Sequence, residues 1–246
     1  MLAIDLSDKV ALVTGGSRGI GAAITKAMCD AGAYTVFTHT GRVANRQPDE
    51  PAEGVVLDGR DGAGATALVN HVVKERGSID ILVTNVGRNL ARPAEQVTDD
   101  EWRDFLDINL GSAFYAVRAV LPHMLRAGYG RIILIGSSVV YDGGGGAIDY
   151  AAGKSGLTGI MLYLARTYAR KGILTNLIHP CVIDTDLLRE RYSDEAKRAR
   201  LAAQIPVGRL GRPEDIAGLA VYLASSWGNY ICGQAILVDG GRTLFR

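Results

Sequence analysis

Cysteine is scarce in this chain. Cys29, Cys181 and Cys232 are odd in number and widely separated, which excludes a disulfide framework and a paired thiolate metal site. Reduced thiols in a cytoplasmic setting are the expectation. His39, His71, His123 and His179 show no metal-ligand spacing, so no metal site and no zinc-dependent dehydrogenase chemistry are expected. Charge of one sign is lacking as well: 27 basic and 26 acidic residues leave a net +1, which gives no basis for binding nucleic acid or a membrane surface. No apolar run approaches the ~20 residues that span a bilayer. The first five residues lack the basic-then-apolar pattern of a secretion signal. What remains is a chain of 246 residues, 48% hydrophobic and 22% charged, able to bury a sizeable core.

The chain opens with the apolar run 9–14, a glycine cluster and a helical pattern in which Ile20, Ala23, Ile24, Ala27 and Met28 share one face. A β-rich run at 34–38 follows. Further buried strands are predicted at 54–57, 79–84, 131–136, 174–178 and 235–238, and helices at 63–76, 99–126, 150–170 and 213–225. Alternation of this kind predicts an α/β fold: a single domain over 1–246, a Rossmann-type doubly wound parallel sheet with helices on both faces. The segment 41–53 carries Pro48 and Pro51 and is expected to form an irregular loop at the sheet edge.

The cluster Gly15-Gly16-Ser17-Arg18-Gly19-Ile20-Gly21 lies between a strand and a helix. There, backbone N–H groups and the helix dipole can hold a pyrophosphate. Gly15 suits a tight turn, Gly19 a close phosphate approach, and Gly21 close packing of helix on strand. An NAD-selective site usually ends its second strand with a carboxylate that bonds the ribose 2′-hydroxyl. Here that place reads His39-Thr40-Gly41-Arg42, and Arg18 and Arg42 are candidates to pair with a 2′-phosphate. The expected cofactor is NADP(H), with NAD(H) as the alternative.

Tyr150 and Lys154 are four residues apart at the start of a helical pattern, so one face presents a hydroxyl and an ammonium together. A nearby cation lowers a phenol pKa, and such a tyrosine can act as general acid or base at a carbonyl or alcohol oxygen. Together with Thr84-Asn85-Val86-Gly87, Asn109, Ser137 or Ser138, Asn176, Pro180 and Val238-Asp239-Gly240-Gly241, these motifs occur in an order that resembles the classical short-chain dehydrogenase/reductase family along essentially the whole chain. The run 207–217 resembles its 3-oxoacyl-(acyl-carrier-protein) reductase branch.

The resemblance implies a catalytic set of Asn109, Ser137, Tyr150 and Lys154. In it, serine bonds the substrate oxygen, lysine binds the nicotinamide ribose, and asparagine holds a relay water through its main chain. The family's serine stands thirteen residues before its tyrosine, which selects Ser137, with Ser138 as the rival. The resemblance also implies that Ser17 and Ile20 of the glycine turn, Asp58, Asn85, Gly87, Pro180, Ile183 and Thr185 contact the cofactor. Val86 and Cys181 depart from the usual Ala and Gly. A lid over about 186–212, a homotetramer and a small carbonyl or alcohol substrate are further expectations. Carrier-docking relatives place two basic residues beside the site entrance; the corresponding positions here are Gly128 and Lys171. The competing readings are an NAD-dependent secondary-alcohol dehydrogenase and a non-redox nucleotide-binding regulator.

Overall fold

The computed structural model describes residues 4–41 and 52–243. Seven strands, β1 (Val10–Thr14), β2 (Tyr34–His39), β3 (Ala52–Val56), β4 (Ile81–Thr84), β5 (Gly130–Ile135), β6 (Ile173–Pro180) and β7 (Ala235–Val238), form one parallel sheet in the order β3-β2-β1-β4-β5-β6-β7. The central strands are continuously apolar because both sheet faces are covered. Successive side chains still alternate. Leu12, Leu82, Ile132, Leu134 and Leu177 pack into one core with Val69, Val120, Leu157 and Met161. Ala11, Val13, Ile81, Val83, Ile133 and Ile178 pack into the other with Ile24, Met28, Ile216 and Ala220.

The helices are α1 (Gly19–Asp30), α2 (Gly62–Arg76), α3 (Asp99–Leu106), α4 (Ser112–Ala127), α5 (Val139–Asp142), α6 (Ile148–Tyr168), α7 (Asp186–Arg191), α8 (Glu195–Ala203) and α9 (Pro213–Ala224). Helices α2, α4 and α6 supply the first core, α1 and α9 the second. The chain order reverses between β1 and β4, whose ends Thr14 and Thr84 are paired. Ligands bind at such a switch point, outside the carboxyl ends of the strands.

Three sequence expectations need correction. The predicted buried strand 54–57 is an edge strand, Ala52–Val56, with Glu53, Gly54 and Val56 exposed, so Ala52 and Glu53 leave the expected loop; pairing of Ala52 with Thr35 starts it. The rest of that loop, 42–51, lies outside the described residues, and with it the Arg42 assignment. The predicted helix 99–126 is two helices joined by a π turn, Asp107–Gly111.

Candidate active site

The floor of the switch-point crevice is the glycine turn. Gly15 and Gly19 have φ of 65° and 53°, the left-handed region that glycine adopts without strain. A Cβ on Gly21 would run into the carbonyl oxygen of Gly15. The turn is fixed from below: Gly15 N–H donates to Thr38 Oγ1 (3.1 Å), and Asn85 Nδ2 donates to the Gly15 carbonyl (3.0 Å). Asn85 N–H in turn donates to Thr14 Oγ1 (3.1 Å). Ser17 is buried and Arg18 is the exposed N-cap of α1.

No side chain caps α1, and its first turn carries no acidic residue. The first N–H groups of a helix lack intrahelical partners. This end of the crevice is therefore a neutral-to-positive cradle that suits a dinucleotide pyrophosphate. At the end of β2, His39 Nδ1 accepts from Gly41 N–H (3.0 Å), and among the described residues His39, Thr40 and Gly41 none is a carboxylate. Asp58 is held by Arg60 through the backbone N–H (2.9 Å), Nε (3.0 Å) and Nη2 (2.6 Å), and these bonds keep its carboxyl below the usual range. Arg60 escaped the sequence reading.

The reactive groups gather at the carboxyl ends of β4, β5 and β6. Lys154, on the second turn of α6, is only 4% exposed, and its Nζ donates to the carbonyls of Ile135 (3.1 Å) and Val86 (3.3 Å). Burial pulls its pKa down to about 8. Tyr150 lies on the same helix face, and its hydroxyl hydrogen-bonds Ser137. The pKa expectation for Tyr150 needs correction. Burial raises it, the Ser137 bond opposes the rise, and the Lys154 ammonium is directed at two carbonyls. The phenol is therefore held neutral. Ser138 is buried, and its N–H donates to the Pro180 carbonyl (2.9 Å).

Asn109 sits inside the π turn and is 1% exposed. Its Nδ2 donates to the carbonyls of Arg88 (2.9 Å) and Phe105 (3.0 Å), and its Oδ1 accepts from Arg88 N–H (3.0 Å). A Cβ on Gly87 would lie 3.0 Å from both Asn109 Oδ1 and Lys154 Nζ, so the backbone passes close to both side chains there. Gly153 likewise lets α6 press on Asn109, whose Cβ would be 2.8 Å from an added one.

On the far wall, the chain leaves β6 through Pro180, Cys181 and Val182. Val182 has φ of 36°, a strained value for a β-branched residue. Ile183 is buried and bridges Gly211, while Thr185 caps α7 by accepting from Leu188 N–H (3.3 Å) and lies against Gly19. His179 was missed by the sequence reading. It is fully buried, and its Nδ1 accepts from Ser137 N–H (3.1 Å), which leaves the ring proton on Nε2. Its position one residue before Pro180, at the end of a buried strand, was the available signal.

Gly128 and Lys171 precede β5 and β6, at the amino ends of strands whose carboxyl ends lead to Ser137 and Pro180. Strands of this length span roughly 20 Å. The expectation that these two positions flank the entrance of their own site is therefore corrected. Among the described residues, no group of three or more His, Cys, Asp or Glu is placed to hold a metal ion, and no helix is long and apolar enough to cross a membrane.

The chain is similar to known proteins along nearly its whole length. A family model described as enoyl-(acyl carrier protein) reductase matches residues 15–243. The 3-oxoacyl-(acyl-carrier-protein) reductase of Escherichia coli is 38% identical over 242 residues, covering 97% of this chain and 98% of that protein. The enzyme of the same name from Pseudomonas aeruginosa is 39% identical over 245 residues, with 97% and 98% covered. Among solved structures, the ligand-free aldohexose dehydrogenase of Thermoplasma acidophilum superposes with a TM-score of 0.90 at 30% identity, covering 98% of this chain and 96% of that one.

Proposed function

The chain belongs to the short-chain dehydrogenase/reductase family, nicotinamide-dependent oxidoreductases of carbonyl and alcohol groups, and from that premise we propose that it reduces a ketone or 3-oxoacyl-type carbonyl to a secondary alcohol with NADP(H). The observation that carries the proposal is the convergence of Asn109, Ser137, Tyr150 and Lys154 on one buried corner beside the cofactor cradle. A nucleotide-binding regulator has no use for that set.

When bound, the nicotinamide supplies the hydride in reduction and accepts it in oxidation. The chain's residues do the rest. Ser137 holds the substrate oxygen, and the neutral Tyr150 phenol gives it a proton. Burial raises the phenol pKa, so Tyr150 carries its proton at neutral pH. Lys154 would hold the nicotinamide ribose, and its ammonium is the proton source that restores Tyr150. The Asn109 side chain is committed to Arg88 and Phe105, and its main chain holds the relay water. Gly15, Ser17, Gly19, Ile20 and Gly21 would hold the pyrophosphate, and Asp58, Asn85 and Gly87 would hold the adenosine. Pro180, Ile183 and Thr185 would hold the carboxamide end. His39 and Arg18 leave room and charge for a 2′-phosphate. The segment 186–212, carrying α7 and α8, closes over the substrate. The protein works as a cytoplasmic homotetramer.

A second reading, an NAD-dependent alcohol or sugar dehydrogenase, draws on the 30% identity to the aldohexose dehydrogenase. One experiment separates the two: a panel of ketones, 3-oxo esters, secondary alcohols and aldoses assayed with NADPH or NADP⁺ and with NADH or NAD⁺. The proposal expects ketone reduction with a higher kcat/KM for NADPH. Aldose oxidation with a preference for NAD⁺ would establish the second reading instead.

A further inference from the structure

A buried ion pair lies against the catalytic helix, and the mechanism above gives it no part. Asp149 is fully buried, Arg92 is 11% exposed, and Arg92 Nη2 lies 2.7 Å from Asp149 Oδ2. Buried charges of this kind persist only when closely paired and hydrogen-bonded. Both belong to places that matter. Asp149 is the residue before Tyr150, in the first turn of α6. Arg92 lies in the segment that runs from Gly87, beside Lys154, to α3.

The second oxygen of Asp149 explains the arrangement. Asp149 Oδ1 accepts from the backbone N–H of Tyr150 itself, at 2.6 Å. That N–H is among the first of α6, which have no intrahelical acceptor. The usual remedy is a side chain at the N-cap, but here the N-cap is Ala147, which makes no such bond. Asp149 does the work from inside the helix, and its negative charge also suits the helix N-terminus. One carboxylate thus holds the Tyr150 main chain with one oxygen and the 88–92 segment with the other.

The tether is reinforced around Arg92. Its backbone N–H donates to the Gly146 carbonyl (2.8 Å), in the glycine run that leads into α6. Its guanidinium stacks 4.6 Å from the Phe105 ring, and Phe105 in turn offers its carbonyl to Asn109. Arg92, Phe105 and Asn109 therefore connect the segment to two sides of the catalytic corner.

We infer that Arg92 and Asp149 are positioning residues that fix the first turn of α6, and so the Tyr150 hydroxyl, relative to the segment 88–92 that follows Gly87. The inference rests on the reading of Tyr150 as the proton donor. A displacement of about 1 Å at a reacting group can cost ~100-fold in rate, so the pair acts on kcat and leaves cofactor binding alone.

The test uses two double variants of the full chain that avoid stranding a buried charge. Arg92→Met with Asp149→Leu removes the charges and the acceptor for Tyr150 N–H. Arg92→Met with Asp149→Asn removes the charges and keeps an amide oxygen as acceptor. Each is measured for kcat and KM on the best substrate of the panel, for NADPH Kd by fluorescence, and for Tm, beside wild type and Tyr150→Phe. The expected result is a ~10–100-fold loss of kcat in the Leu double variant and a loss within ~3-fold in the Asn double variant, with NADPH Kd and Tm of both close to wild type. Wild-type kcat in the Leu double variant would overturn the inference while a dead Tyr150→Phe left the functional reading standing. Equal losses in both double variants, accompanied by weakened NADPH binding and lowered Tm, would also overturn it, reducing the pair to a structural contact. Near-native turnover by Tyr150→Phe would overturn the functional reading and the inference with it.

Discussion

Lys154 is an ammonium kept in a place that does not suit charge. Its folded-state pKa of about 8 lies below the usual 10.5, so the folded chain binds fewer protons than the unfolded one between those values. The penalty is fully present below about pH 8 and fades as pH rises toward 10.5. At ~1.4 kcal/mol per pKa unit it is on the order of 3 kcal/mol. Lys154→Met should abolish turnover. It removes that penalty but leaves the Ile135 and Val86 carbonyls without a donor, at ~1–3 kcal/mol each, so Tm at pH 7 should change little. The variant should then lose ground to wild type between pH 8 and pH 10 as the wild-type penalty fades. A Tm difference from wild type that stays constant from pH 7 to pH 10 in thermal melts would contradict this account of the site. Tyr150 and Lys154 were legible in the sequence because their relation is local, one helical turn. The partners of the other site groups were hidden by distance along the chain. His179 bonds Ser137 across 42 residues and Asp149 meets Arg92 across 57. No local pattern announces either. The sign of the Tyr150 shift was misjudged for a related reason: proximity of Lys154 was readable, but its commitment to the Val86 and Ile135 carbonyls and the depth of burial were not.

The break between α3 and α4 matters most among the elements, because it carries Asn109. The turn holds no glycine or proline before Gly111 to mark a break, which is why 99–126 read as one helix. Within the turn, the Asn109 amide supplies donors to the Phe105 and Arg88 carbonyls. Asn109→Asp keeps the shape but turns both donated bonds into oxygen–oxygen contacts. Leaving buried acceptors unpaired costs ~1–3 kcal/mol each, so urea denaturation should show a loss of roughly 2–4 kcal/mol together with loss of turnover. Wild-type stability in that variant would mean that the side chain does not hold the turn. The strands were legible wherever both faces are buried. The edge strand β3 was displaced because its start is set by pairing with β2 rather than by its own residues.

At the scale of the whole molecule, two exposed apolar surfaces stand out: Phe114 with Leu162 and Tyr163 on α4 and α6, and Tyr222, Trp227 and Tyr230 at the other end of the chain. Two separate isologous contacts build a tetramer of dihedral symmetry, and these exposed groups are the surfaces offered for them. Light scattering should give four chains at working concentration; a monomer would contradict it. The same scale bears on acyl carrier protein. Of the two positions, Gly128 carries no charge and Lys171 does, and both stand at the far end of the sheet from Ser137. No basic pair at these positions therefore flanks this site's entrance to capture an acidic carrier. A free 3-oxoacyl thioester should be reduced with a kcat/KM comparable to its carrier-linked form. A preference of several orders of magnitude for the carrier, falling steeply with salt, would contradict the prediction.

The central claim is that Tyr150 gives the proton while the cradle holds the cofactor independently of it. Tyr150→Phe removes one oxygen from the site and leaves the glycine turn, Lys154 and Asn109 untouched. Its kcat for ketone reduction and its NADPH Kd, measured on one preparation beside wild type, separate the two parts. The account predicts a kcat lowered by ~10²–10⁴-fold with an NADPH Kd unchanged within about twofold. A Phe variant that turns over at a near-native rate would contradict it.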